Sequence, residues 1–323
     1  MSMSDYHWEI TDRAKQLQIE LEALKLSFEM LKLSPHMEDS LRRTSLLKSA
    51  VFSVRVEGYP DTISSPKAES QKLVQGYKLV HSSKSPQNLT LKYIQQLHQV
   101  ALDKLSYNAG HWRREAWGIF NQAGVAVYLA PAYFNVPELM SDYVSFVNKI
   151  RDNMAIKAAI AQFIFEKIHP FADGNGRVGR LISAHILAKS GYGFRGLAPF
   201  EEYIDKYRLD YYAALEPSHD VTNFVEFFLE ALVFQSKEIL AKLIQPSTEL
   251  VEDDLPPRQL EILQIVKDHS YCSFDSIHRR FPGISPSTLR YDVTQLIKGK
   301  FIKKIRRTRG AMYVVQLSPA PGE

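Results

Sequence analysis

His169, Asp173, Asn175, Arg177 and Arg180 fall within the twelve residues HPFADGNGRVGR, with Gly174, Gly176 and Gly179 between them. One imidazole, one carboxylate, one amide and two guanidinium groups at this density suit the handling of a phosphate chain. Pro170 stops one predicted helix and RVGRLISAHILA begins the next, so DGNG falls at a helix N-terminus. Unpaired N–H groups and the positive end of the helix dipole favour anions there. Gly174 and Gly176 let the backbone approach a ligand closely. Arg177 and Arg180, at i and i+3 on the first turn, can aim both guanidinium groups the same way. Asp173 offers a hard oxygen to Mg²⁺, and His169 is a candidate general base. These residue types describe a triphosphate site with a base beside it.

Three other readings of the stretch fail on context. From Gly174, GNGRVG fits the dinucleotide pattern G-x-G-x-x-G, but that pattern needs a strand before it, and AAIAQFIFEKIHP is helical. Ile156, Ile160, Phe163, Ile164 and Ile168 supply its buried face. No G-x-x-x-x-G-K-[ST] is present, which excludes a P-loop. DGNG begins like a calcium loop, but Arg177 and Val178 stand where an EF-hand needs a ligand and a glycine. A plain surface loop between two helices explains the glycines and leaves the charged residues unexplained.

The stretch resembles the signature of the Fic family, H-P-F-x-[D/E]-G-N-G-R-x-x-R, and meets every specified position. Similarity continues in FEKI before the motif, in GHWR from Gly110, in YLAPAYFNVPELM from Tyr128 and in YRLDYYAAL from Tyr207, so that it spans roughly residues 45–235. The resemblance implies a mostly α fold: an all-helical Fic core carrying a β-hairpin flap. It implies a protein adenylyltransferase that moves AMP from ATP to a Ser, Thr or Tyr hydroxyl of a target protein or of itself. On that resemblance His169 takes the hydroxyl proton, Asp173 holds Mg²⁺, and Gly174, Asn175, Gly176 and Arg177 bind the α-phosphate. Arg177 and Arg180 bind the β- and γ-phosphates, and Tyr212 falls where the family packs the adenine, although an aromatic on a helix fits the core equally well. In the flap, Ile119, Val127 and Tyr128 would pair with the target's backbone by β-augmentation; the alternative is a stabilising hairpin with no partner. GFRGLAPFEEYI, from Gly193, departs from the family's usual spacing after the motif and puts the adenine pocket in doubt.

Ser53, Glu57 and Gly58 in SVRVEG fit the family's inhibitory pattern [S/T]-x-x-x-E-[G/N], N-terminal to the catalytic motif. Ser53 and Glu57 are i and i+4 and share a helix face. The expectation is that Glu57 pairs with Arg180 and denies it to the γ-phosphate; the alternative is an ordinary solvated glutamate.

The elements that must position these residues are mostly helical. Residues 8–33 have apolar side chains at helical spacing until Ser34-Pro35, and a second helix near residues 45–58 ends at Gly58. SSPKAES and HSSKSPQ read as loops. Further helices are predicted over LTLKYIQQLHQVALDKL, VPELMSDYVSFVNKI, MAIKAAIAQFIFEKI and VTNFVEFFLEALVFQSKEIL. AWGIF and VAVYL flank NQAG as a hairpin at about residues 118–129. The predicted organisation is an N-terminal helical region 1–87, a catalytic core 88–240, a Pro-containing acidic linker 241–257 and a small α+β winged-helix domain 258–318. In the last, RQLEILQIVKDH, SFDSIHRRF and SPSTLRYDVTQLIKGK read as helices, with FIKKIRR and AMYVVQL as strands.

From Leu255 onward there are 12 Lys and Arg against 5 Asp and Glu, so the basic surplus lies in this tail although the chain as a whole carries only +4. Arg290, Lys303, Lys304, Arg306, Arg307 and Arg309 are its candidate DNA contacts, in the third helix and the wing. A protein-contact module with a solvated basic face fits equally well. A hydrophobic share of 45% supports sizeable cores. One cysteine, Cys272, forbids an intrachain disulfide and points to a reducing compartment. The apolar windows are too short to span a bilayer and the start lacks a signal-peptide layout, so a cytoplasmic protein with no membrane partner is the expectation. The sequence leaves open a homodimer through the long N-terminal helices, removal rather than addition of AMP, another nucleotide in place of ATP, and a role as a DNA-binding regulator.

Overall fold

Asn153 caps its helix with a side-chain oxygen on Ala155 N, and the run that follows, MAIKAAIAQFIFEKI, is apolar on nearly every side. A helix of that kind must be central, and in the computed structural model Met154–Ile168 is surrounded by other helices. The structure describes residues 2–120, 123, 125–216, 218–244, 255–269, 271–307 and 310–316. In chain order the helices are α1 (Asp12–Met30), α2 (Pro35–Val56), α3 (Ala68–Val80), α4 (Leu91–Leu102), α5 (Val136–Lys149), α6 (Met154–Ile168), α7 (Asn175–Ser190), α8 (Glu201–Lys206), α9 (Arg208–Ala214), α10 (Thr222–Ile244), α11 (Pro257–Lys267), α12 (Phe274–Arg279) and α13 (Pro286–Lys298). The strands are β1 (Gly118–Phe120), β2 (Ala126–Leu129), β3 (Cys272–Ser273), β4 (Ile302–Arg307) and β5 (Gly310–Val315). The fold is mostly α, as the sequence indicates.

The chain divides into two units, Met1–Ser34 with Leu41–Lys242, and Pro35–Ser40 with Leu243–Glu323. The first unit takes in both the N-terminal region and the core that the sequence separates at residue 87. Its centre is the α6–α7 pair, with α3 and α4 against α7 and α5 against α6. The hairpin β1–β2 is antiparallel, with Ile119 opposite Tyr128 and an irregularity between Ile119 and Phe120.

Two boundaries and one whole helix of the N-terminal region differ from the sequence reading. α1 starts only at Asp12, because Thr11 caps it on Ala14 N. α2 begins at Pro35, ten residues before the expected start; proline is tolerated in a first turn, where its missing N–H is not needed. α3 was not expected. Its Gly76 lowers helical preference, but a Cβ there would lie 2.8 Å from Leu181 Cδ1, so glycine is what lets α3 lie close to α7.

The second unit holds α11, α12 and α13 on a three-stranded sheet of order β3-β5-β4. Its core is Ile262, Val266, Ile277, Leu289, Val293, Leu296, Ile302 and Tyr313. Three helices and a two-stranded wing match the expected order, and β3, two residues long, completes the sheet. Among the described residues no helix is long and apolar enough to cross a membrane.

Candidate active site

The α6–α7 loop is pinned at every turn. His169, the C-cap of α6, lies in the left-handed region at φ 50° and turns the chain out of the helix, with its N–H still on Phe165 O at 3.0 Å. Phe171 is fully buried and stacks on His98 at 3.7 Å between ring centres. The Asn175 amide closes the loop on itself: its Oδ1 accepts from Phe171 N and its Nδ2 donates to Phe171 O, both at 2.9 Å. This residue, expected to hold the α-phosphate, is spent here on the loop's own backbone. Gly174 has φ 73°, and a Cβ on it would come within 2.6 Å of Leu102, so no other residue fits without strain. Gly110 N donates to His98 Nδ1 at 2.7 Å, which places the ring's proton on Nε2, and Nε2 donates to Asp173 O at 3.1 Å. Burial lowers His98 to about 4, so this link is neutral.

His169 Nδ1 lies 3.3 Å from Glu166 O, a group that can only accept, so Nδ1 carries the proton and Nε2 keeps its lone pair. Burial above all, with a smaller contribution from the nearby Arg113 charge, pushes His169 down to about 4, so the ring is neutral at pH 7. Trp117 stacks on it at 3.5 Å. Arg113 is buried and donates Nε to His169 O at 2.8 Å, Nη1 to Glu115 O at 2.8 Å and Nη2 to Pro131 O. One guanidinium thus ties the base to both stems of the hairpin, and the Arg113 amide adds a bond to Pro170 O at 2.9 Å.

The arginine end of the loop is occupied by α2. Arg180 is 1% exposed and donates Nε to Ser53 Oγ at 2.7 Å and Nη2 to Ser53 O at 2.8 Å. Its Nη2 also reaches Glu57 Oε1 at 3.1 Å, the expected pair. Burial opposes its charge, but Tyr211 and Glu57 more than offset this, and Arg180 is held firmly protonated. Glu57 Oε2 lies 2.8 Å from Arg177 Nε, close enough for an ion pair although not aligned as a hydrogen bond. One carboxylate therefore engages both arginines of the motif. It also overhangs the backbone, for a Cβ on Gly176 would meet Glu57 Oε1 at 2.8 Å. Gly58, at φ 89°, ends the α2 segment with its N–H on Arg55 O. Asp173 accepts from Gly174 N at 2.7 Å and from Arg177 Nη2 at 3.1 Å.

His169, Asp173, Gly174, Asn175, Gly176, Arg180, Glu57, Ile119, Tyr128 and Tyr212 line one cavity of about 550 Å³. The Tyr212 ring faces it, while its hydroxyl donates to Val56 O at 2.9 Å and holds the end of α2. Tyr211, buried behind it, accepts from Gln162 at 2.9 Å. Ile119 is 51% exposed on β1; Tyr128 donates its hydroxyl to Lys167 O. Val127 lies in β2, its side chain outside the described residues. Among the described residues no group of three or more His, Cys, Asp or Glu is placed to hold a metal ion.

In the second unit Lys303 and Lys304 are exposed on β4, and Arg290 lies 4.1 Å over the Phe274 ring. Arg306 and Arg307 are in β4 with side chains outside the described residues, as is Arg309 altogether. Asp292, the acid of α13, is buried and held by Arg258 and by Gln259 at 3.2 Å.

Sequence reading missed Arg113 as a positioning residue, His98, Glu166 and Tyr211. GHWR was noticed only for its likeness to the family. The partners of Arg113 and His98 are backbone groups 2 to 75 positions away, which leave no pattern in side-chain type.

A histidine, a helix N-terminus and two arginines on and after the loop between two packed helices, with a hairpin alongside, make up the candidate site of a helical domain. Residues 88–187 match the Fic/DOC family. Two curated relatives are a Protein adenylyltransferase Fic of Drosophila mojavensis, 32% identical over 32% of this chain, and a Probable protein adenylyltransferase of Aquifex aeolicus, 36% identical over 26%. The chain spans only 20% and 26% of their lengths. Among solved structures, a Fic family protein from Desulfovibrio desulfuricans aligns over 98% of each chain with a TM-score of 0.66 at 21% identity. A Fic domain containing signaling protein from Bacteroides thetaiotaomicron aligns over 72% of this chain and 97% of its own, with a TM-score of 0.58 at 18% identity. The chain thus carries a Fic domain at residues 88–187.

Proposed function

We propose that this protein transfers AMP from ATP to a hydroxyl side chain of a protein, itself included, and that Glu57 restrains the reaction. The observation that carries this reading is the position of the Glu57 carboxylate on Arg177 and Arg180, in the cavity that His169 lines. A carboxylate seated there stands in for the anion the arginines would otherwise hold.

The target hydroxyl gives its proton to His169 Nε2, its oxygen bonds to the α-phosphorus, and the bond from that phosphorus to the pyrophosphate oxygen breaks. The neutral tautomer is the form required, and His169 is held in it. The N–H groups at the start of α7 stabilise charge on the α-phosphate, and Arg177 and Arg180 hold the departing pyrophosphate once Glu57 leaves. Asp173 would hold Mg²⁺, whose contribution when bound is to neutralise phosphate charge. The exposed face at Ile119 offers a strand edge to the target's backbone.

Incubating wild type, Glu57→Gly and Glu57→Gly/His169→Ala with α-labelled ATP, GTP or UTP tests the reading. Protein label with ATP, raised in Glu57→Gly and lost without His169, is expected. Label that persists without His169 would overturn it.

A second reading concerns the other unit. The one acid of α13 is turned inward and paired, which leaves Ser287, Arg290, Tyr291, Thr294 and Lys298 on its exposed face. That face and the wing lysines suit the major groove and phosphates of duplex DNA. A mobility shift that weakens steeply with salt supports it; no shift at 50 mM salt removes it.

A further inference from the structure

A second cavity, of about 670 Å³, adjoins the one that His169 lines, and Tyr128 and Lys167 border both. Its wall combines hydrocarbon and acid. Leu129, Pro131 and Leu139 supply the hydrocarbon, and Leu129 is 64% exposed. Glu138 and Asp142, exposed at i and i+4 on α5, supply two carboxylates, and neither is in an ion pair among the described residues. Like charges at that spacing repel and weaken a helix unless a cation sits between them. The lysine of the lining is not that cation: Lys167 Nζ donates to Leu215 O and lies 4.8 Å over the Phe163 ring. Tyr6 gives an independent sign. It lines the cavity, is only 7% exposed, and is held by edge contacts to Phe163 and His219 at 6.2 and 5.3 Å between ring centres. Its hydroxyl has no hydrogen-bond partner among the described residues, and the Tyr128 hydroxyl is committed to Lys167 O. A buried phenol oxygen is ordinarily satisfied, so this one has room for a donor from outside.

A hydrocarbon wall, two unneutralised carboxylates and a free phenol oxygen match a side chain with an apolar stem and a head of N–H donors. Lysine and arginine are the side chains of that build. We propose that this cavity receives a lysine or arginine of the target protein, close in sequence to the hydroxyl that is modified, and so makes basic segments the preferred substrates. The shared wall sets the spacing. β2 supplies Tyr128 and Leu129 to this cavity, so a segment lying along the hairpin passes it. An extended chain advances about 3.3 Å per residue, so a cavity one side chain away is reached within about three residues of the hydroxyl.

The proposal rests on the transfer reading for its target, but the cavity is tested by binding alone. NMR of methyl-labelled Glu57→Gly protein follows the Leu129 and Leu139 signals as three heptapeptides are added, each with a central threonine and, two residues from it, arginine, alanine or glutamate. The arginine peptide should shift both signals at a concentration about fivefold or more below that needed by the alanine peptide, and the glutamate peptide should shift neither. Glu138→Gln/Asp142→Asn, at exposed positions where folding is not at risk, should bring the arginine and alanine peptides to within about twofold of each other. Glu138→Lys/Asp142→Lys should transfer the preference to the glutamate peptide. Equal shifts from the arginine and alanine peptides, or none from any, would overturn the proposal, as would a preference for arginine that survives Glu138→Gln/Asp142→Asn. Arginine-selective binding with no transfer of label from α-labelled ATP to any protein would remove the proposed reaction and leave the cavity's preference standing. Label transfer with equal binding of the peptides would do the reverse.

Discussion

The two ends of the HPFADGNGRVGR loop are in opposite conditions. At the histidine end the machinery is complete: His169 is neutral with Nε2 available, and Arg113, His98 and Asn175 fix the loop through backbone bonds. At the arginine end both guanidinium groups are already engaged by Glu57, and Arg180 by Ser53 as well. On the proposed function, the base is kept ready while the protein's own carboxylate takes the place of the phosphates. Control of the kind proposed acts on how the nucleotide seats and leaves the chemistry of the base untouched.

The contrast can be broken at either end. Removing the base from an unrestrained protein, as Glu57→Gly/His169→Ala, should lower AMP transfer by about 10³-fold in a label-incorporation assay, with ATP affinity little changed. Removing the restraint alone, as Glu57→Gly, should raise transfer by on the order of tenfold to a hundredfold in the same assay. Arg113→Met in the Glu57→Gly protein frees the hairpin stems from His169. It should cut transfer about tenfold while ATP binding stays within about threefold, and Arg113→Lys should recover part of the loss. Ser53→Ala removes the acceptor of Arg180 Nε but leaves Glu57 in place, so a rise of about threefold is expected.

The smallest effect expected is that of pH. The basic form of His169 is lost only as pH falls through about 4, against 6.5 for an ordinary histidine. Transfer by Glu57→Gly at saturating ATP should therefore be flat from pH 8 to about 5.5. A halving near pH 6.5 would show that the ring is not held neutral by its burial.

The loop was legible in the sequence because its message is local: glycine, proline and charge at fixed spacing announce a helix N-terminus that holds anions. Glu57 and Ser53 were legible through their i, i+4 spacing and the family resemblance. Arg113 and His98 were not, since each acts on backbone groups that nearly every residue possesses. Gly76 disguised α3 for a related reason: the glycine that weakens the local helical signal is required by Leu181, 105 positions on. Local chemistry announces itself in sequence, whereas close packing and backbone capture show only in three dimensions.

The central claim is that Glu57 excludes nucleotide phosphates from Arg177 and Arg180. Calorimetric titration of ATP with magnesium into wild type and Glu57→Gly tests it most directly. The account predicts that Glu57→Gly binds ATP about tenfold or more tightly than wild type. Equal dissociation constants for the two proteins would contradict it.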